Sequence, residues 1–259
     1  MGGDNALEIR RFLRSGEWFG GLPDALQELI LEHSVVRRYA KGQVISLEGG
    51  VSKGLFALLE GTVHVVRSIG DGDEGLIHVC EPGFWFAEYA LLSGKATVGS
   101  FLAHSRAKVL QLPKAQFDRI VAEEPRYYEA FARLALSRYA ILVRMLAEVR
   151  DLAVEVRLRD RLAVMAQMRS EELPQPGTVT LTLSQADLAR MIGISRQTLN
   201  ALLRKLQRAG LIEVGFRCIR VLDAERLTDI NATKPAPSAV RVRPAHASEA
   251  LRVPDDRMD

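Results

Sequence analysis

Cysteine is scarce: the 259 residues contain two, Cys80 and Cys218, far apart in the chain. Two distant thiols make no disulfide framework and fit a reducing compartment. They also fall short of the roughly four cysteine ligands of an iron–sulfur cluster, so none is expected. Long apolar runs are missing as well, because Arg, Lys or Glu interrupts each stretch before the ~18 residues a membrane helix needs. No signal-peptide pattern stands at the start. Together these absences predict a cytoplasmic protein with no membrane partner. The five histidines (His33, His64, His78, His104 and His246) include no closely spaced pair. That argues against the metal-dependent dioxygenases built on jelly rolls, which cluster His and carboxylate ligands, and no metal site is expected. Neither a nucleophile elbow nor a phosphate-binding glycine loop occurs, so no catalysis is expected.

What is present suffices for two modest domains: the chain is long enough, and 47% of it is hydrophobic. The net charge of +3 is small, but its distribution is uneven. From Leu188 to Ile212 there is no Asp or Glu, while Arg190, Arg196, Arg204, Lys205 and Arg208 are cationic. Just before this stretch Ser184 and Asp187 have capping-box spacing, which opens a helix. Leu188, Met191 and Ile192 give that helix an apolar stripe, Gly193 supplies a turn, and Ser195 caps a second helix. Leu199, Leu202, Leu203 and Leu206 bury one face of the second helix and turn Arg196, Gln197, Asn200, Arg204 and Lys205 outward. The pattern is that of a helix-turn-helix, and its cationic face suits the phosphates of double-stranded DNA. Arg196 can fork onto guanine O6 and N7, and Gln197 can bridge adenine N6 and N7.

Strand signals flank these helices. Thr178 to Leu183 alternates with β-branched residues, and Leu211 to Leu222 holds two β-rich runs around Gly215, the pattern of a wing. Upstream, Ala6 to Glu32 shows helical periodicity. From Val35 to Leu112 short β-rich pieces alternate with glycine turns, as in an antiparallel sandwich or barrel. Pro125 suits the first position of a long helix. Tyr128, Phe131, Ala135, Arg138, Leu142, Met145, Val149, Leu152 and Val156 follow in steps of three and four, and all but Arg138 are apolar. This spacing predicts a coiled-coil seam and a parallel homodimer, the alternative being a stripe packed on the chain's own first domain. Residues 157–168 read as a further helix, Ala224 to Ile230 as a short closing helix, and the Pro-, Ala- and Ser-rich remainder as a disordered tail. The expected division is a sensor domain at 1–124, a dimerisation helix at 125–156, a winged helix-turn-helix at 157–230 and the tail at 231–259. The fold class is therefore α+β.

Between about Ala6 and Ile230 the sequence resembles the Crp/Fnr superfamily of bacterial transcription regulators. In the helix-turn-helix the resemblance rests on Leu188-Ala189, Gly193, Ser195-Arg196-Gln197-Thr198, Leu202 and Gly210-Leu211-Ile212. In the first domain it rests on Gly42, Glu48-Gly49, Gly61, Pro82-Gly83 and Phe86 through Leu92, the marks of a cyclic-nucleotide-binding-like jelly roll. It implies a sequence-specific regulator that works as a homodimer on a two-fold symmetric operator, with RNA polymerase as a further partner. Base reading would fall to Arg196, Gln197 and Asn200, and phosphate or positioning contacts to Ser195, Thr198, Arg204 and Lys205. The members that bind the best-known operator have Glu where this chain has Gln197 and Arg where it has Ala201, so a different site is expected.

The resemblance departs at the effector pocket, for which it implies Glu88, Lys95, Thr97, Val98, Gly99, Met145 and Leu146. Glu88 matches the ribose-binding acid of cyclic-AMP-responsive members, but the phosphate-binding Arg position falls on Val98 and its hydroxyl neighbour on Gly99. Leaving one side of a desolvated charge pair unmatched costs on the order of 3 to 5 kcal/mol. Lys95 could reach in only as a point charge, without the planar fork of an Arg. Where responsive members place hydroxyls against the purine, this chain has Met145 and Leu146. Control by cyclic AMP through the usual residues is therefore not expected. Two alternatives stay open: a cyclic-nucleotide sensor with an atypical pocket, and a constitutive DNA-binding dimer with a degenerate sensor. The small-molecule effector is unknown. A haem sensor would need an axial ligand such as His64, His78 or His104, each an isolated histidine of ordinary packing type, so no haem is expected. Cys80 would serve as a redox switch only if exposed and of low pKa.

Overall fold

The N-terminal segment folds into three short helices, α1 (Gly3–Arg14), α2 (Glu17–Gly20) and α3 (Asp24–His33), in a computed structural model that describes residues 3–70, 73–147, 153–174 and 177–228. Side chains are described for these except at 3–5 and 140–147. Helix α3 starts directly after Pro23 and buries Leu26, Ile30 and Leu31. The β-rich region follows as β1 (Val35–Tyr39), β2 (Val44–Ser46), β3 (Gly54–Glu60), β4 (Val63–Ser68), β5 (Glu74–Cys80) and β6 (Trp85–Phe86). Helix α4 (Glu88–Ser93) interrupts before β7 (Ser100–Ala103) and β8 (Ala107–Pro113) complete it. The short β6 carries no turn-to-turn signal of its own in the sequence.

Two antiparallel sheets result, ordered β1-β8-β3-β6 and β2-β7-β4-β5. Strand β3 is central to the first and buried at every residue but its last, which explains its unbroken apolar sequence. One core lies between the sheets, around Ile45, Phe56, Leu58, Val63, Phe86 and Val109. A second forms where the helices cover the outer face of β3 and β8, around Leu26, Ile30, Leu55, Leu110 and Leu112. The turn glycine Gly61 has φ +88°, and a Cβ there would sit 2.1 Å from the carbonyl of Arg106, so only glycine fits.

Helix α5 (Lys114–Glu123) leads to α6 (Tyr127–Ala147), and α7 (Val154–Glu172) begins anew after Ala153. Ala153 has ψ 142°, which interrupts the helix expected to run unbroken to Val156. No residue type demands this break. It results from burial, because α7 sends Leu158 and Leu162 into the following domain and Val164 and Met168 into the core between the sensor sheets. The expected seam is corrected in part. Phe131 is only 1% exposed and sits among Trp18, Phe117 and Leu134 of its own domain, so it is not free to meet a second chain. Arg138 turns inward as well, onto Glu172. Leu142, Met145 and Leu146 lie on α6, but their side chains are outside the described set, as are residues Val149 and Leu152 and the tail.

The last domain comprises α7, β9 (Val179–Leu181), α8 (Gln185–Ile192), α9 (Arg196–Arg208), β10 (Ile212–Gly215), β11 (Cys218–Val221) and α10 (Ala224–Thr228). Its sheet is ordered β10-β11-β9 and antiparallel. One core joins Leu158, Leu162, Leu188, Leu199, Leu203, Leu206, Ile212 and Ile219.

Candidate functional site

Local chemistry builds the helix-turn-helix. The Asp187 amide donates to Ser184 Oγ at 3.1 Å, and the Ser184 hydroxyl donates to Asp187 Oδ2 at 2.6 Å, so the capping pair closes on itself. Gly193 ends α8 at φ +74° and donates to the Ala189 carbonyl. Ser195 then caps α9 by accepting from the Thr198 amide at 3.1 Å. Burying Leu199, Leu203 and Leu206 fixes the rotation of α9. Ser195, Arg196, Gln197, Thr198, Ala201 and Arg204 are thereby exposed, and Asn200 is half-buried beside them. Among the described residues neither Arg196 nor Arg204 has an ion-pair partner. Lys205 differs: its Nζ lies 2.6 Å from Glu155 Oε2 on α7, a restraint its sequence neighbours gave no hint of. The wing adds two residues not anticipated from sequence. Phe216 is 94% exposed at the hairpin tip, next to Arg217 with φ +54°.

Of the expected effector residues, Glu88 opens α4 and is half-buried; burial raises its pKa against the pull of the Arg138 charge and its own backbone amide. Ala87 before it occupies the left-handed region at φ +71°. Lys95 is exposed, and Val98 is 58% exposed at the Arg position. Thr97 is buried and already engaged: its hydroxyl donates to the Leu47 carbonyl and its amide to that of Gly50 at 2.9 Å. At Gly99 a Cβ would approach the Val66 carbonyl to 3.0 Å, so a hydroxyl residue there would need the strand to move. Inside the barrel, Phe86 stacks on Phe56 and Phe101 with ring centroids 5.3 and 4.8 Å apart. Neither Val98 nor Gly99 brings a cationic or hydroxyl side chain to the positions expected to hold a phosphate. Cys80 is fully buried and its thiol is pushed well up by burial, so it lacks both requirements of a redox switch.

The two domains meet on the open face of the β2-β7-β4-β5 sheet. Met191 of α8 packs against Val66, Leu76 and Val79. The Thr182 amide donates to Glu81 Oε1 at 2.9 Å, and Arg169 donates to the Pro82 carbonyl at 2.5 Å. Arg138 binds Glu172 Oε1 at 2.9 Å and lies 4.2 Å above the Phe84 ring. A cavity of about 420 Å³ opens elsewhere, between α2, α6, β6 and the end of α7, lined by Trp18, Trp85, Leu134, Arg138 and Glu172 among others. The contact of α8 with the sensor sheet brings His64, His104 and Asp187 together from separate elements. Sequence spacing held no signal for that cluster, whose members lie far apart along the chain. His78, the third haem candidate, is instead packed against Phe84 and pushed down to about 3 by burial and the charges of Arg138 and Arg161.

Known proteins share this arrangement. Residues 36–124 match the family described as the cyclic nucleotide-binding domain, and residues 156–230 the Crp-like helix-turn-helix domain. The chain is 24% identical over 214 residues to the CRP-like cAMP-activated global transcriptional regulator of Mycobacterium tuberculosis, covering 83% of this chain and 95% of that protein. It is 26% identical over 217 residues to the nitrogen fixation regulation protein FixK of Bradyrhizobium diazoefficiens, covering 81% and 87%. Its backbone is similar to the solved structure of FixK2 from Bradyrhizobium japonicum, with a TM-score of 0.63 at 17% identity, covering 75% of this chain and 95% of the other. A jelly-roll sensor domain joined by long helices to a winged helix-turn-helix, with both parts matched in order, places this chain in the Crp/Fnr superfamily as a DNA-binding transcription regulator.

Proposed function

We propose that the protein acts as a cytoplasmic homodimer that reads a two-fold symmetric operator through α9 and responds to something other than cyclic AMP. The observation that carries the DNA part is the exposed start of α9, where Arg196 and Gln197 stand without side-chain partners among the described residues, beside the polar Ser195 and Thr198. Arg196, Gln197 and Asn200 take base edges. Ser195, Thr198 and Arg204 take phosphates or fix the helix, and Lys205 does so after exchanging its bond to Glu155. Two-fold pairing would set two copies of α9 about one DNA turn apart. Among the described residues no helix is long and apolar enough to cross a membrane, which agrees with a cytoplasmic site of action. RNA polymerase is the further partner in this reading, and no catalytic step is assigned.

Dimerisation is supported by Leu136 and Tyr139 on α6, which are 64% and 65% exposed although apolar or aromatic. They lie one position away from the expected stripe. Steps of four and three lead from them along the sequence to Val143 and Leu146. Independence from cyclic AMP is supported by Val98 and Gly99 at the phosphate positions and by the engaged Thr97 hydroxyl. Several relatives are named as cAMP-activated, so the contrast is testable within the family. The aromatic filling of the barrel by Phe56, Phe86 and Phe101 favours a second reading, in which the sensor domain is a scaffold without an effector.

The test is a selection from random double-stranded DNA with purified, ligand-free protein at near-physiological salt, repeated with cyclic AMP. The expected result is one two-fold symmetric site, enriched equally in both arms. Enrichment only with cyclic AMP would overturn the effector reading. Salt-sensitive binding without any enriched site, with or without metabolite extract, would overturn the operator reading.

A further inference from the structure

We infer that His64, His104 and Asp187 form a binding site for a divalent first-row transition ion of the Zn²⁺ class, which fastens the DNA-binding domain to the sensor barrel. His64 lies on β4, paired in register with Leu102 of β7, and His104 comes directly after β7, its amide donating to the Thr62 carbonyl at 2.9 Å. The two imidazoles are stacked with centroids 3.8 Å apart. Asp187 comes from the other domain, on α8, held there by the packing of Met191 on Val66, Leu76 and Val79. One ligand atom from each of the three residues lies within 4.8 Å of the other two.

Two features distinguish this cluster from a chance meeting of polar side chains. His64 is 6% exposed, and its Nε2 is buried with no hydrogen-bonding partner among the described residues. A buried polar atom left so costs on the order of 1 to 3 kcal/mol, and coordination would satisfy it. The Asp187 carboxylate is oriented from behind by the Ser184 hydroxyl at 2.6 Å, the type of outer contact that fixes metal-bound carboxylates. Two imidazoles and one carboxylate suit Zn²⁺, Co²⁺ or Ni²⁺ better than Ca²⁺ or Mg²⁺, which take all-oxygen sets.

A cleft of about 180 Å³ lined by His64, His104, Glu74 and Arg190 gives a route to the site. Arg190 weakens cation affinity there, and Glu74 on the same cleft counters it. Bonds of ~2.0–2.1 Å in a tetrahedral site hold donor atoms about 3.3 Å apart. Binding therefore draws the three donors closer and α8 toward β4. Helix α9 is joined to α8 through the short turn at Gly193, so an ion that prefers this arrangement biases the placement of the recognition helix.

The test uses tag-free, full-length protein without DNA, so its outcome does not depend on the operator reading. Calorimetry with Zn²⁺ and absorbance with Co²⁺ are expected to show one ion per chain. His104→Ala, at a half-buried position, and His64→Gln are each expected to weaken binding at least tenfold. Hydrogen exchange is expected to slow on both β4 and α8 when Zn²⁺ is added to the wild type, and to stay unchanged in His104→Ala. No binding, or binding that survives His104→Ala undiminished, would overturn the site. Protection confined to β4 would overturn the fastening role. Should His64→Gln fail to fold, as circular dichroism would show, His104→Ala decides alone.

Discussion

Arg196 and Lys205 share one helix and one charge, yet the fold puts them in different situations. Arg196 is exposed in the first turn of α9, while Lys205 is held by Glu155 at 2.6 Å. Moving Lys205 onto a phosphate gives up that contact, whereas Arg196 has no ion pair among the described residues to give up. Arg196→Ala is therefore expected to lower operator affinity by ~1 to 3 kcal/mol and to relax preference at a single base pair. Unchanged specificity in a binding-site selection would remove Arg196 from base reading. Lys205→Ala is expected to weaken all sequences alike, with no position losing preference. At this scale the caps were legible because they are local: Ser184 with Asp187, and Ser195 with Thr198, each three residues apart. The restraint on Lys205 was not, since its partner lies on α7. The cluster of His64, His104 and Asp187 was hidden for the same reason, as no periodicity links a strand, a turn and a helix of another domain.

Among the elements, α6 shows how a stripe can be visible while its destination is not. Steps of three and four along the helix describe two neighbouring stripes that differ by one residue. Burial separates them: Phe131 and Leu134 enter the sensor core at 1% and 3% exposure, while Leu136 and Tyr139 remain outside. Aromatic neighbours explain the choice, because Trp18 and Phe117 form a socket that a bulky ring fills. For the proposed homodimer, replacing Leu136 and Tyr139 together by Glu is expected to give monomers with an intact fold, measured by light scattering and circular dichroism. A dimer that persists would place the contact away from this stretch of α6. The jelly-roll strands read more directly, since a strand such as β3 announces itself by an unbroken apolar run. Strand β6, only two residues long, is defined by its pairing with Phe56 and Ala57 and so leaves no pattern of its own.

At the scale of the whole molecule, α7 packs against both the sensor domain and the winged helix-turn-helix and so joins them. Glu172 is placed to report this. It is 9% exposed at the end of α7, bonded to Arg138 of α6. Burial outweighs the attraction of Arg138 and Arg169, with Glu81 adding repulsion, and lifts its pKa from 4.5 to about 7. Between those two values the native state keeps a proton that the unfolded chain has lost. The Glu172 contribution is thus fully present below about pH 4.5 and declines as pH rises through about 7, by an amount on the order of 3 kcal/mol. His64 and His78 act in the opposite sense, because pKa values held down at about 4 and about 3 make stability rise with pH up to about 6.5. The net profile mixes the two, so the informative quantity is the difference between wild type and Glu172→Gln, which keeps an acceptor for Arg138 but cannot ionise. Denaturant unfolding from pH 4.5 to 8 is expected to show the wild type losing stability relative to the variant across this window and no further beyond it. A difference that stays flat would mean that Glu172 ionises as freely in the folded chain as in the unfolded one, and that Arg138 and Glu172 meet as an ordinary ion pair at the junction of the two domains.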